Sequence, residues 1–377
     1  MAGAAARSLA VVWLAAACGS RSSAPPPPHD AGQRDGDLAL LDGNGLFQKL
    51  CSPCHGADAK GYKADHAPSL VSSTFLESAS DDFLRGAIER GRPGTSMAAY
   101  GKILGGPLDA AEVGKLVAWL RQHGPAPIAL PPVGAGDILR GATVYKDNCA
   151  KCHGTRAVRG EAVQLANSQL LATASDAYLK WAVVHGRPGT PMEAWQGKLD
   201  DGQLDDVIAY VRAFTQPGKQ EGQLPPPTGK EPLVLNPRGG QPQFDVRHDD
   251  RAYVTIDQVA KALAVGKRMI ILDARPEPEW RRVHVAGAVS MPYHDLARLD
   301  VLPKDGTWIF AYCACPHHLS GIVVDELAKR GYAHAAVLDE GINEWFRRGY
   351  PVVAAPGVEP PPAEAKPTPP PGVGTHR

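Results

Sequence analysis

One short pattern governs what this chain can fold into. Cys-x-x-Cys-His stands at Cys51–His55 and again at Cys149–His153. Two cysteines three apart lie on nearly one face of a helical turn. Both thiols can then add to the two vinyl groups of one porphyrin, and the histidine that follows reaches the iron from the same side. A zinc site built from two C-x-x-C pairs needs a gap of about 15–20 residues. Here 94 residues separate Cys54 from Cys149. A thioredoxin-like redox pair needs a neighbouring βαβ pattern, and none is visible.

The pentapeptides belong to a longer repeat. Phe47 and Tyr145 stand four places before each first cysteine. Gly91-Arg-Pro-Gly-Thr-Ser-Met97 returns as Gly186-Arg-Pro-Gly-Thr-Pro-Met192, with Tyr100 and Trp195 three places after each Met. Leu108-Asp109 then opens a helical pattern with Val113, Leu116, Val117 and Leu120 on one face. Leu199-Asp200 opens its partner with Leu204, Val207, Ile208 and Val211, and Asp109 and Asp200 are N-cap candidates. Two copies are too few for a solenoid, so the pattern predicts a duplicated small domain. The whole chain has five Met, and only Met97 and Met192 fall inside the repeat, in register. They are the candidate sixth iron ligands. His66 and His185 are the alternatives, and neither is repeated. His/Met ligation raises the iron potential and suits electron transfer.

These two units resemble small class I cytochromes c, over 37–124 and 136–216. The resemblance implies all-α domains and two covalently bound haem c groups. Cys51 and Cys54 would attach one haem, with His55 and Met97 axial. Cys149, Cys152, His153 and Met192 would do the same for the second. In that family Pro often follows the ligand Met, whereas Ala98 and Glu193 stand there in this chain. Phe, Tyr and Trp number only 7, 10 and 7 in 377 residues. A porphyrin at the centre of each small core accounts for so few rings.

The third unit has another grammar. Met269–Asp273, Trp308–Cys313 and Ala335–Leu338 are apolar strand patterns, and Gly321–Arg330 reads as a helix with Ile322, Val323 and Leu327 inward. Alternating strands and helices predict a parallel α/β sheet, with chemistry at the carboxyl ends of its strands. Asp273-Ala-Arg275, Glu279-Trp280, His284-Val-Ala-Gly287-Ala288, Met291-Pro292, Tyr312-Cys313 and Gly341-Ile-x-x-Trp345 together resemble a rhodanese-like domain, over 246–354. The resemblance implies that Cys313 takes up sulfane sulfur as a persulfide. Backbone N–H groups and a helix N-terminus would stabilise its charge. His284 is read as shaping a turn, and Asp273 with Arg275 as ordering the strand end.

The loop after Cys313 departs from the common pattern. It carries Cys315, His317 and His318, and the first Lys or Arg is Lys329. Leu319 stands where a Cys-x5-Arg phosphatase loop needs Arg, which argues against phosphate esters. Cys315 is open to three readings: resolving a Cys313 persulfide, a strained and oxidising Cys313–Cys315 disulfide, or a spare thiol.

Arg7 followed by the nine apolar residues Leu9–Ala17 reads as an export signal, too short to span a bilayer. Ala15-Ala16-Ala17-Cys18 resembles a bacterial lipobox, so Cys18 is the lipidation candidate. The resulting organisation is a signal (1–17), a tether (18–36), the first cytochrome unit (37–124), a linker (125–135) and the second unit (136–216). A linker (217–245), the rhodanese-like unit (246–354) and a Pro-rich tail (355–377) follow. The tail has eight prolines from Pro356 and no helix or strand period. Lys+Arg and Asp+Glu are both 40, which argues against a nucleic-acid partner. The predicted partners are redox proteins, a sulfane-sulfur compound or thiol acceptor, and a membrane if Cys18 is lipidated. The chain reads as a bacterial periplasmic or membrane-anchored dihaem electron carrier with a sulfur-handling module. The alternative is an electron-transfer protein whose rhodanese-like domain only binds, or senses redox state through its thiols.

Overall fold

The computed structural model describes residues 38–62, 64, 66–215, 221–314, 317–361 and 363–364. Cys18, the signal and tether, and Cys315 lie outside the described residues. The N-terminal part is helical. Its first unit contains α1 (Gly43–Leu50), α2 (Ser52–His55), α3 (Ser73–Ser78), α4 (Asp81–Arg90) and α5 (Ala110–Arg121). The second repeats this with α6 (Ile138–Asn148), α7 (Ala150–His153), α8 (Ser168–Thr173), α9 (Asp176–His185) and α10 (Asp201–Arg212). A two-residue strand, β1 (Val158–Arg159), follows α7.

The repeat extends to the hydrogen bonds. Asp109 caps α5 and Asp200 caps α10, each in a capping box, with Glu112 and Gln203 returning the bond. Ser80 accepts from the Phe83 N–H and Ser175 from the Tyr178 N–H. Arg121 donates to Asp81 and to the Leu76 and Ala79 carbonyls. Arg212 donates to Asp176, Leu171 and Ala174 in the same arrangement. The apolar faces predicted for α5 and α10 are buried. The two units share one core, in which Phe83 of α4 meets Tyr178 of α9 with ring centroids 4.6 Å apart.

The C-terminal part is α/β. A six-stranded sheet runs β2 (Arg247–His248), β3 (Ala252–Val254), β8 (Ala335–Leu338), β7 (Ile309–Tyr312), β4 (Ile270–Asp273), β6 (Val289–Ser290) in spatial order. All its pairings are parallel except β2 with β3. Alternate residues of β4 and β7 face opposite layers. Ile270, Leu272, Ile309, Ala311 and Cys313 pack with α13 (His318–Lys329). Ile271, Phe310 and Tyr312 pack with α11 (Ile256–Ala264) and α14 (Gly341–Arg347). The remaining helix is α12 (Glu277–Arg282), beside an antiparallel pair of β5 (Val283–Val285) and β9 (Val352–Ala354). Helix α13 starts three residues before the predicted Gly321, and Ile322 is only half-buried.

Two segments read as linker and tail are engaged. In 217–245 the Leu224 N–H donates to the Arg281 carbonyl, and Leu235 pairs with Met269. In the tail, β10 (Ala363–Glu364) pairs with β1 of the second unit. Prolines hide such pairing from a periodicity reading, because two residues cannot display a period.

Candidate functional site

In each helical unit the cysteine pair sits on a single helical turn. The His55 N–H of the main chain donates to the Cys51 carbonyl and that of His153 to the Cys149 carbonyl, both at 3.0 Å. Gly56 and Gly154 then reverse the chain with φ of 77° and 71°. The ring of His55 bonds through Nδ1 to the Pro68 carbonyl at 2.9 Å, and His153 through Nδ1 to the Val163 carbonyl at 2.8 Å. A carbonyl can only accept, so Nδ1 carries the proton and Nε2 keeps its lone pair for a metal. Burial lowers the pKa of both imidazoles. Burial, with the neighbouring thiol, pushes Cys51 up to about 12 and Cys149 to about 11. Cys51, Cys54, Cys149 and Cys152 form no disulfide.

The methionine loops are also superimposable in their bonding. The Arg92 N–H donates to the Met97 carbonyl (2.7 Å), and the Met97 N–H to Thr95 Oγ1 (3.1 Å). Arg187, Met192 and Thr190 make the same bonds at 2.8 and 3.1 Å. A Cβ at Gly91 or Gly186 would lie 2.5 Å from the backbone after the methionine, which explains the repeated glycine. Ala98 and Glu193, where Pro is common, leave this loop closed in both copies. The residues fit a haem in each unit: two thiols on one turn, an imidazole with a free Nε2, and a thioether on a fixed loop. No group of three His, Cys, Asp or Glu side chains that could hold a metal ion occurs among the described residues, so the zinc reading has no site there.

Cys313 directly follows β7 and is 1% exposed. Its Sγ lies 3.4 Å from Ser320 Oγ in the first turn of α13. The Ile342 N–H donates to its carbonyl, and a Cβ at Gly341 would stand 2.5 Å from that carbonyl. Helix α14 is thereby seated on the Cys313 loop. His317 takes φ of 81° and its Nε2 is 2.5 Å from Asp339 Oδ1. Arg247 bonds the other Asp339 oxygen at 2.8 Å. Burial pushes the Asp339 pKa up, but these two partners outweigh it and hold the carboxyl below the usual range. Arg251 pairs with Asp325 on α13. The cations around the loop thus face carboxylates.

The strand end beside Cys313 is fixed by a buried network. Arg275 binds both oxygens of Asp273 (2.9 and 2.6 Å), and the Tyr312 hydroxyl donates to Asp273 at 2.8 Å. His284 stacks on Trp280, with Nδ1 2.7 Å from its carbonyl.

The residue that sequence reasoning missed is Tyr293. Its hydroxyl donates to the Leu50 carbonyl at 2.6 Å and lies 2.9 Å from the Tyr100 hydroxyl, which also reaches Leu50 at 3.2 Å. Leu50 immediately precedes Cys51. Helix α13 packs against α2, the attachment turn itself. No short-range pattern signals a contact between residues so far apart in the chain.

Residues 39–120 and 136–211 match the family described as cytochrome c oxidase, cbb3-type, subunit III, and residues 255–348 match the rhodanese-like domain. The chain is similar to the cbb3-type cytochrome c oxidase subunit CcoP of Azospirillum sp. (strain B510), at 31% identity over 201 residues. That match covers 48% of this chain and 64% of the Azospirillum subunit. It is also similar to the cytochrome bc1 complex cytochrome c subunit of Mycobacterium tuberculosis, 26% identical over 236 residues, covering 57% of this chain and 78% of that one. Among solved structures, the rhodanese-like domain of an Anabaena sp. protein is 26% identical, with a TM-score of 0.26. It covers 27% of this chain and 78% of the Anabaena one.

Proposed function

We propose that this chain, which carries two cytochrome c domains of the cbb3 subunit III type followed by a rhodanese-like domain, is an exported dihaem electron carrier coupled to a sulfur-handling site. The single observation that supports the dihaem reading is the matched pair of attachment turns, each with Nδ1 of its histidine held by a backbone carbonyl. Cys51 with Cys54, and Cys149 with Cys152, would hold the haems, and His55 with Met97, and His153 with Met192, would supply the iron ligands. When bound, each haem supplies a one-electron ferric/ferrous couple. Redox proteins outside the chain are the partners, and Cys18 is the proposed lipid anchor. No helix among the described residues is long and apolar enough to cross a membrane.

In the rhodanese-like domain, the Cys313 thiolate attacks the outer sulfur of a polysulfide or hydropersulfide. One S–S bond forms and one breaks, the donor leaves as a thiolate, and no oxidant is needed. Cys315 modulates release of that sulfur to a thiol acceptor. The test is mass spectrometry after polysulfide treatment, with ~32 Da added on the Cys313 peptide and no adduct in Cys313→Ser. A wild type that never loads favours the second reading, a binding module or thiol sensor. The near-complete burial of Cys313 and the carboxylate pairing of His317, Arg247 and Arg251 support that reading.

A further inference from the structure

The two attachment turns are built alike and covered differently. In the second unit Lys151 and Cys152 are exposed and His153 is half-exposed. In the first unit Ser52, Pro53 and Cys54 are half-buried and His55 is 7% exposed. The rhodanese-like domain is what covers the first. Tyr293 seats its hydroxyl on the Leu50 carbonyl and against Tyr100, and both phenols are buried. Arg281 and Gln223 both donate to the Leu104 carbonyl of the first unit. His294, next along, is half-buried with its Nε2 shielded and unpartnered, and desolvation lowers its pKa to about 4. The cover over the turn thus places two buried phenols on the Leu50 carbonyl and the Arg281 guanidinium on the Leu104 carbonyl. In the repeat, Trp195 stands where Tyr100 does, and it stays partly exposed.

The geometry points to the rhodanese-like domain as a lid on the first haem site, with Tyr293 as its positioning residue. The lid makes haem 1 the more dehydrated and higher-potential of the two haems. Excluding water lowers the local dielectric, which disfavours the more positive ferric state, and solvent access is a recognised lever on redox potential. Tyr293 also packs in the same apolar cluster as Cys313 and Leu319. The haem under the lid is thereby the one beside the helix that follows Cys313. Among the described residues the second turn has no such cover, and its Lys151 and Cys152 are exposed.

This inference rests on both pentapeptides carrying haem and does not require Cys313 to carry sulfur. The experiment is a potentiometric titration of the full-length holoprotein. Cys149→Ala/Cys152→Ala and Cys51→Ala/Cys54→Ala, each leaving one haem, assign the two waves. Haem 1 should titrate at the higher potential. Tyr293→Ala should weaken haem 1 reduction about tenfold, which is about 59 mV for one electron, and leave haem 2 in place. Tyr293→Phe keeps the ring, loses only the hydroxyl and should give a smaller shift of the same sign. It decides the matter if Tyr293→Ala unfolds the domain. Amide exchange at Ser52–Cys54 should rise in the same variants. Equal potentials for the two haems overturn the proposal. So do Tyr293 variants that move both waves together, or neither. A haem count below two per chain instead defeats the dihaem reading, a result read from the haemochrome spectrum before any titration.

Discussion

The two cytochrome units are near copies in bonding and differ in company. Unit 1 holds its α1–α5 junction with Lys115, whose ammonium donates to the Ala39 and Leu41 carbonyls. Unit 2 holds the matching α6–α10 junction with a carboxylate. Asp206 accepts from Arg140 and from the Asp137 N–H. Unit 1 is capped at its Cys-x-x-Cys-His turn by a third domain, and among the described residues unit 2 is open there. The duplicated fold thus keeps the bonds of the Cys-x-x-Cys-His turns and methionine loops, and varies its helix junction and its outer cover.

The bluntest way to break the comparison is to remove one haem at a time. Cys51→Ala/Cys54→Ala and Cys149→Ala/Cys152→Ala should each halve the covalent haem that survives acid–acetone extraction. Full retention in either would refute attachment at that turn. Removing the lid from within is the next largest test. Asp273→Ala takes the bidentate partner from the buried Arg275 guanidinium, leaving Glu279 at 3.6 Å, and breaking such a pair costs about 3–5 kcal/mol. The rhodanese-like domain should melt earlier by circular dichroism, with the haem 1 spectrum altered and the haem 2 spectrum kept. Equal disturbance of both haems would contradict a cover specific to unit 1.

Methionine exchange probes the half of the repeat that should be equivalent. Met97→Ala and Met192→Ala should each remove about half of the weak far-red sulfur-to-iron band. An unchanged band in either would assign a different ligand there. The smallest effect is that of pH. Hydrogen bonds from Arg140 and Asp137 lower the Asp206 pKa in the folded protein. Its contribution is then complete above the usual carboxylate value of about 3.9 and is lost as pH falls through the lowered folded value. Unit 2 should loosen in acid through this junction, and Asp206→Asn should remove that part of the pH dependence. An acid transition that is the same in Asp206→Asn would place the sensitivity elsewhere.

Much of this was legible from residue order. The Cys-x-x-Cys-His turns are local, so Cys51–His55 and Cys149–His153 show in the sequence as short helical turns. The methionine loops are local too, and the glycine at each loop start is dictated by a backbone approach that leaves no space for a Cβ. Helices α5 and α10 show their caps and apolar faces in sequence. Strands β4 and β7 show as apolar runs because both their faces are buried. What stayed hidden is what joins distant segments. Tyr293 looks like any aromatic after Met291-Pro292, and its partner at Leu50 is a backbone carbonyl, which no sequence pattern marks. The pairing of His317 with Asp339 is equally silent, because the carboxylate arrives from the end of another strand. It matters chemically, since the His317 ring is held against the Asp339 carboxylate instead of standing open to an anionic ligand.

The cover over Ser52–His55 also imposes an order on how the molecule is made. A thiol can add to a vinyl group only while it can reach it, and it reacts as a thiolate. In the finished fold Cys51 is shielded and its pKa is pushed up to about 12. On the proposed dihaem reading, haem 1 joins the chain before Tyr293 reaches Leu50. A C-terminal domain that docks earlier closes over unreacted thiols. In unit 2 burial also pushes Cys149 up, to about 11, but Cys152 stays exposed, so that turn remains within reach in the finished fold. A chain whose maturation is delayed should thus accumulate with its second site filled and its first closed over an empty pair of thiols.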